Sequence, residues 1–293
     1  MSDGIEVRRD LVFAEPAGQP LQLDLYRPVG NGEVPVCVYL HGGGWARGSR
    51  TDRAEDRLVP VARSGIAVAS VDYRLTDTAT FPAQLEDARA AVRWLRTHGA
   101  EHGLATGRIG AWGASAGGHL AALLGLCSDV ADPQLGDGSV QGGSVLEGSV
   151  QEGSVQGVVA WFPPTDLLRL ETDEPEGPPP PFRTGPPPSP SFEARLLGLS
   201  AASDDPARAR AASPLTHVRP DAPPFLVVHG DRDGLIPGVQ SRRLVEALSA
   251  AGATADLMLL AGANHEDPAF DTPGSLGAVS GFLRTVLAEA PRS

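Results

Sequence analysis

Four short segments of this 293-residue chain combine residue types that could do chemistry. Gly113-Ala114-Ser115-Ala116-Gly117 follows a strand-like run ending at Trp112 and opens an Ala/Leu-rich run. A sharp strand-to-helix turn forces the central residue of such a pentapeptide into strained dihedrals and pushes its hydroxyl outward. Flanking glycines suit this, because a side chain there would strike the neighbouring strand or helix. The start of the helix also favours negative charge developing nearby. A plain turn of small residues is the alternative, and the strand–turn–helix setting weakens it. His41-Gly42-Gly43-Gly44-Trp45 comes directly after the apolar run 34–40. Three glycines leave backbone N–H groups bare, and acyl transfer needs such donors aimed at a tetrahedral oxyanion, each worth roughly 10²–10³ in rate.

The other two segments supply an acid and a base. His229-Gly230-Asp231-Arg232-Asp233-Gly234 follows a buried strand-like run. A carboxylate there can orient an imidazole, and two compete. Asp233 lies further along the loop, where it can reach across to the next one, and Asp231 is closer to the strand. One of them is expected to be an ordinary turn aspartate. Gly262-Ala263-Asn264-His265-Glu266-Asp267 follows the run 255–260, and His265 is the one of seven histidines in a late Gly/Asn loop after a strand. That suits a general base. His41 is expected to shape the glycine turn. His119, one helical turn after Ser115, is structural or lines the pocket. His229 is expected to be packed, and His98, His102 and His217 lie at the surface or in loops. On residue type alone, Asp231, Asp233 and His265 also suit a metal, which the serine turn makes unnecessary.

The elements that must position these groups alternate strand and helix. Residues 5–14 and 21–26 read as two strands joined by a turn. The run 34–40 is almost continuously apolar, as in a strand covered on both faces, and 66–71 is another. Leu85, Ala88, Val92 and Leu95 recur at helical spacing. Strands follow at 108–112, 155–161, 225–229 and 255–260, with helices at 116–127, 240–251 and 277–289. Such repeats imply an α/β fold, a mainly parallel sheet with helices on both faces, in one domain spanning 1–293. Two low-complexity inserts interrupt it, at about 136–156 and 173–191. The first repeats Gly-Ser-Val at a period of five and reads as a flexible surface segment. The second holds the run 175–190, mostly proline, hence stiff and extended. It reads as a disordered loop, with docking to a proline-reading partner as the alternative.

Composition narrows the chemistry. All 24 basic residues are Arg, so no lysine amine exists for Schiff-base or pyridoxal chemistry, a Ser–Lys dyad or a standard phosphate-binding loop. The net charge of −12 argues against a nucleic-acid binder. No apolar run reaches the ~18 residues of a membrane span. The N-terminus has no secretory core, and Cys37 and Cys127 sit in apolar runs as buried thiols. A cytoplasmic protein is the plain reading.

Taken together, the motifs resemble the alpha/beta-hydrolase family of esterases and lipases, in the branch with HGGGW near the N-terminus. Further matches are Asp72-Tyr73-Arg74-Leu75, Phe81-Pro82-Ala83-Gln84, Ser115-Ala116-Gly117-Gly118-His119-Leu120 and Ser213-Pro214-Leu215-Thr216-His217-Val218. The order Ser…Asp…His also fits that topology. The resemblance implies an alpha/beta-hydrolase fold and a triad of Ser115, Asp233 and His265, with Asp233 favoured as the second aspartate of its motif. It implies oxyanion donors from the backbone of Gly43, Gly44 and Ala116, a small-molecule ester substrate, and no metal or cofactor. Forty residues precede His41, too few for the helical cap of the hormone-sensitive-lipase-like branch, so an open site for short acyl chains is expected. A serine peptidase acting on short peptides and a catalytically idle scaffold are the competing readings.

Overall fold

The computed structural model describes residues 4–30, 32–127, 153–185 and 188–288. The Gly-Ser-Val repeat lies, but for its last residues, outside them. Eight strands form one sheet: β1 (Ile5–Ala14), β2 (Leu21–Pro28), β3 (Val34–Leu40), β4 (Ala67–Val71), β5 (Leu104–Ala114), β6 (Gly157–Trp161), β7 (Phe225–Gly230) and β8 (Ala255–Leu260). Their spatial order is β1-β2-β4-β3-β5-β6-β7-β8. β2 runs antiparallel to both its neighbours, and every pair from β4 to β8 is parallel.

The sheet is covered on both faces, as its apolar strands require. Alternate side chains of β3 divide between two cores. Val36, Val38 and Leu40 face a layer with α2 (Ala83–His98), α3 (Ala116–Leu126) and α7 (Gly238–Ala251). Cys37 and Tyr39 face the other layer, with α1 (Val59–Arg63) and α8 (Pro273–Leu287). This two-sided burial is why the central strands lack a polar face. The edges are less covered, with Val7 and Val12 of β1 and Leu259 of β8 exposed.

Element boundaries differ from the sequence expectation where local chemistry sets them. β5 begins at Leu104, not at 108, because an irregularity beside Pro35 lets Leu104 and Ala105 pair with Val34 and Pro35 before regular pairing resumes at Ile109. α8 starts at Pro273, a residue pre-set for a first helical turn, behind the capping hydroxyl of Thr272. Three short helices, α4 (Leu167–Leu170), α5 (Phe192–Leu197) and α6 (Pro206–Ala211), follow β6. Among the described residues no helix is long and apolar enough to cross a membrane.

The first part of the proline-rich stretch is anchored rather than loose. Residues 173–178 lie as a strap across α7 and the loop after β7. The Asp173 carboxylate accepts from Gln240 and Arg243, and Glu176 accepts from the Gly238 N–H at the start of α7 and from Arg242. The Glu176 N–H donates to the Asp233 carbonyl at 3.2 Å. Composition sets the stiffness of this strap, and these polar anchors set its path.

Candidate active site

Loops from the C-terminal ends of β3, β5, β6, β7 and β8 meet over one edge of the sheet, where open α/β sheets place their ligands. Ser115 stands between β5 and α3 with φ 55° and ψ −119°, a conformation that costs a non-glycine residue energy. The turn is enforced by close approach. A Cβ on Gly117 would lie 1.9 Å from the Leu40 carbonyl oxygen, so the start of α3 can press against the end of β3 only with glycine there. The Ser115 N–H donates to the Trp161 carbonyl at 2.9 Å, fixing the turn to β6.

His265, on the loop after β8, points its Nε2 at Ser115 Oγ at 3.0 Å. Its Nδ1 lies 2.8 Å from Asp233 Oδ2. A carboxylate can only accept, so Nδ1 carries the proton and Nε2 accepts from the serine hydroxyl. All three side chains are buried, with Ser115 at 8% exposure the most open. The other oxygen of Asp233 accepts from the Leu235 and Ile236 N–H groups, each at 2.8 Å. Burial raises the Asp233 carboxyl pKa, but its attraction to His265 when that ring is protonated and hydrogen bonds from His229 and His265 outweigh it and hold the group ionised, well below the usual carboxylate range.

Asp231, the competing carboxylate, is exposed and accepts from the Gly262 N–H. It ties the two loops together as a turn aspartate. Among the described residues no cluster of three or more His, Cys, Asp or Glu side chains is arranged to hold a metal.

The glycine turn after β3 borders the serine. Gly43 has φ 115°, and a Cβ on it would meet the Arg47 carbonyl oxygen at 2.1 Å. Among the described residues the N–H groups of Gly43, Gly44 and Ala116 donate to no protein carbonyl. Ala116 heads α3, whose dipole adds to the pull on an anion. His41 shapes this turn, with Nδ1 2.7 Å from the Gly42 carbonyl and its ring stacked on Tyr73 at 4.4 Å. His119 is fully buried, bonds the Ala212 carbonyl through Nε2 at 2.7 Å and lies outside the cleft lining. Burial lowers its pKa to about 4.

The groups open onto a cleft of about 1240 Å³. Its walls include residues that sequence reasoning did not single out. Phe192, at the start of α5, lies directly on Gly44. Phe182, on the proline-rich stretch, is half exposed with its ring 6.4 Å from that of His265. Phe162, after β6, backs His265 edge-to-face at 4.5 Å. Asn264 is the hub of the loop after β8: its Oδ1 accepts from the Gly234 and His265 N–H groups, and its Nδ2 donates to the Pro178 carbonyl. Arg57 is buried under the cleft, 4.8 Å over the Trp161 ring, and donates to Tyr39, Glu266 and Asp271. Burial opposes its charge, and Tyr39, Glu266 and Asp271 hold it.

The chain matches the family described as BD-FAE over residues 23–248 and belongs to that family. It is 31% identical over 283 residues to Esterase LipC of Mycobacterium tuberculosis, covering 95% of this chain and 65% of that protein. To Esterase LipQ of the same organism it is 29% identical over 281 residues, covering 92% and 61% respectively. The chain therefore spans less than two thirds of the length of these curated relatives. Among solved structures it is similar to a truncated carbohydrate esterase from gut microbiota, with a TM-score of 0.80 and 25% identity over 99% of both chains. It is also similar to a thermophilic esterase of the planctomycete Thermogutta terrifontis, with a TM-score of 0.71 and 25% identity over 99% of this chain and 95% of that one. The fold is that of the alpha/beta-hydrolases.

Proposed function

We propose that this chain is a serine carboxylic-ester hydrolase that works through a covalent acyl-enzyme. One observation carries the reading: a serine hydroxyl, an imidazole and an ionised carboxylate linked at 3.0 and 2.8 Å in the wall of a large cleft. Ser115 Oγ attacks the ester carbonyl while His265 Nε2 takes its proton. Asp233 keeps the imidazole in the tautomer that can accept, and stabilises the imidazolium that forms. Negative charge builds on the former carbonyl oxygen, and the N–H groups of Gly43, Gly44 and Ala116 bind it. His265 then protonates the leaving alcohol, and the acyl group stays on Ser115. A water that gives its proton to His265 attacks the acyl carbon, and collapse of that second intermediate returns the serine.

Short acyl chains belong to the same proposal. Phe192 lies over Gly44 and limits the space beside the oxyanion turn. Cytoplasmic residence does too, supported by two cysteines that are buried and not bridged to one another.

Hydrolysis of p-nitrophenyl acetate by the wild type and by Ser115→Ala tests the reading. The variant should lose roughly 10⁴-fold or more in turnover. Retained activity overturns the assignment. In a series of p-nitrophenyl esters, a rate peaking at ten carbons or more overturns the short-chain part, and a peptide panel that is cleaved while esters are spared overturns the ester preference.

A further inference from the structure

A second histidine touches the acid from behind. His229, next to last in β7, is fully buried and outside the cleft lining. Its Nε2 lies 3.0 Å from the Ile236 carbonyl oxygen and 3.4 Å from Asp233 Oδ2. Neither oxygen carries a proton, so Nε2 is the protonated nitrogen. Its Nδ1 lies 2.7 Å from Ser241 Oγ on the second turn of α7, which is also fully buried. That hydroxyl has a partner for its hydrogen and holds the ring in one tautomer.

We infer that His229, locked by Ser241, is a positioning residue for Asp233 that limits how strongly the carboxylate binds the protonated form of His265. Two contacts produce the effect. His229 pins the Ile236 carbonyl, and the N–H of that same residue donates to Asp233 Oδ1. Its own N–H faces Oδ2, the oxygen that His265 uses, and competes for that oxygen's charge. A carboxylate with fewer competing donors stabilises a neighbouring imidazolium more. The chain Ser241–His229–Asp233–His265–Ser115 thus extends the triad by two residues into α7. The consequence for turnover rests on the esterase reading, whereas the effect on His265 titration does not.

Of the charged groups on the elements packed around the pair, Arg232 is exposed beside Asp233, and four carboxylates are already engaged. Glu266 is paired with Arg57, Asp231 accepts from Gly262, Asp267 accepts from Asn264, and Glu176 is paired with Arg242. Replacing His229 leaves these contacts in place.

The test follows the His265 titration by NMR on ¹⁵N-histidine-labelled protein, beside the pH profile of kcat/KM on p-nitrophenyl acetate. In His229→Leu, which has no donor, the His265 pKa and the acid limb of the profile should rise together by about half a unit to one unit. In His229→Gln, whose amide can place an N–H near the Nε2 position, both should stay close to wild type. A structural role alone would lower the melting temperature of both variants without separating their titrations. An unchanged titration in His229→Leu, or equal shifts in the two variants, overturns the inference. If His229→Leu does not fold, Ser241→Ala takes its place. It should shift the titration upward by a smaller amount, and no shift overturns the inference. If the titrations of the variants separate as expected while the wild type hydrolyses no ester, the proposed function is overturned instead.

Discussion

The serine elbow and the Asp233–His265 pair are held at the same site by opposite means. Around Ser115 the geometry comes from atoms that are missing. Besides Gly117, a Cβ on Gly113 would come within 2.2 Å of the Gly117 carbonyl oxygen, and one on Gly118 within 2.8 Å of the Trp161 carbonyl oxygen. Around Asp233 and His265 it comes from polar atoms that are present, supplied by Asn264, Asp231, Glu176 and backbone N–H groups. Close packing of backbone on backbone does not yield gradually, whereas a set of hydrogen bonds gives way one member at a time. The elbow is therefore all-or-none, and the loops of Asp233 and His265 are graded.

The largest expected effect breaks the elbow. Gly117→Ala puts a methyl where the Leu40 carbonyl already sits and should cost more than about 3 kcal/mol, removing both folded yield and turnover. Wild-type melting and activity in this variant would mean that the elbow tolerates what its geometry forbids. The next largest separates the two aspartates. Asp233→Asn should cut kcat roughly 10³–10⁴-fold by disturbing the His265 tautomer, while Asp231→Asn should cost less than about 10-fold. The reverse ranking in steady-state kinetics would exchange their roles.

A graded loss is expected from the loop after β8. Asn264→Ala removes one acceptor from two N–H groups and one donor from the Pro178 carbonyl. It should cost about 2 kcal/mol, read as a melting-temperature drop of roughly 4–8 °C, with turnover lowered but measurable. Complete loss would make this loop as brittle as the elbow.

The smallest effect concerns His119, the imidazole on the elbow side. Its folded pKa, about 4, lies below its unfolded value, so the unfolded chain binds the extra proton. The stability of the neutral buried ring is fully present above about pH 6.5 and is lost as the pH falls from there through 4. Between pH 7 and 5.5 this costs about 1 kcal/mol. His119→Gln keeps a donor for the Ala212 carbonyl and should flatten that part of the stability–pH curve. Identical slopes in the two proteins would remove His119 as the source.

The same contrast explains which parts of the site are legible in the sequence. Glycines that must be glycines advertise the elbow and the turn after β3, and a serine, an aspartate and a histidine after strand-like runs stand out by type. The supporting groups carry no such mark. Arg57 sits in Ala-Glu-Asp-Arg-Leu and looks like a surface charge. It is buried because Tyr39, Glu266 and Asp271, distant in sequence, converge on it. Asn264 and His229 are ordinary residues until the fold brings donors and acceptors to them. α1, α4, α5 and α6 span four to six residues each, too few to show a helical period. The anchoring of residues 173–178 is not legible, because composition reports on chain stiffness and not on what Asp173 and Glu176 grip.

The strap reaches the loops of Asp233 and His265 through its own main chain. Glu176 gives its N–H to the Asp233 carbonyl, and Pro178 gives its carbonyl to Asn264. Side chains further along, Phe182 among them, take no part in those two links. Evolution, or a designer, can rewrite that wall and change which molecules are admitted while the machinery beneath keeps its register.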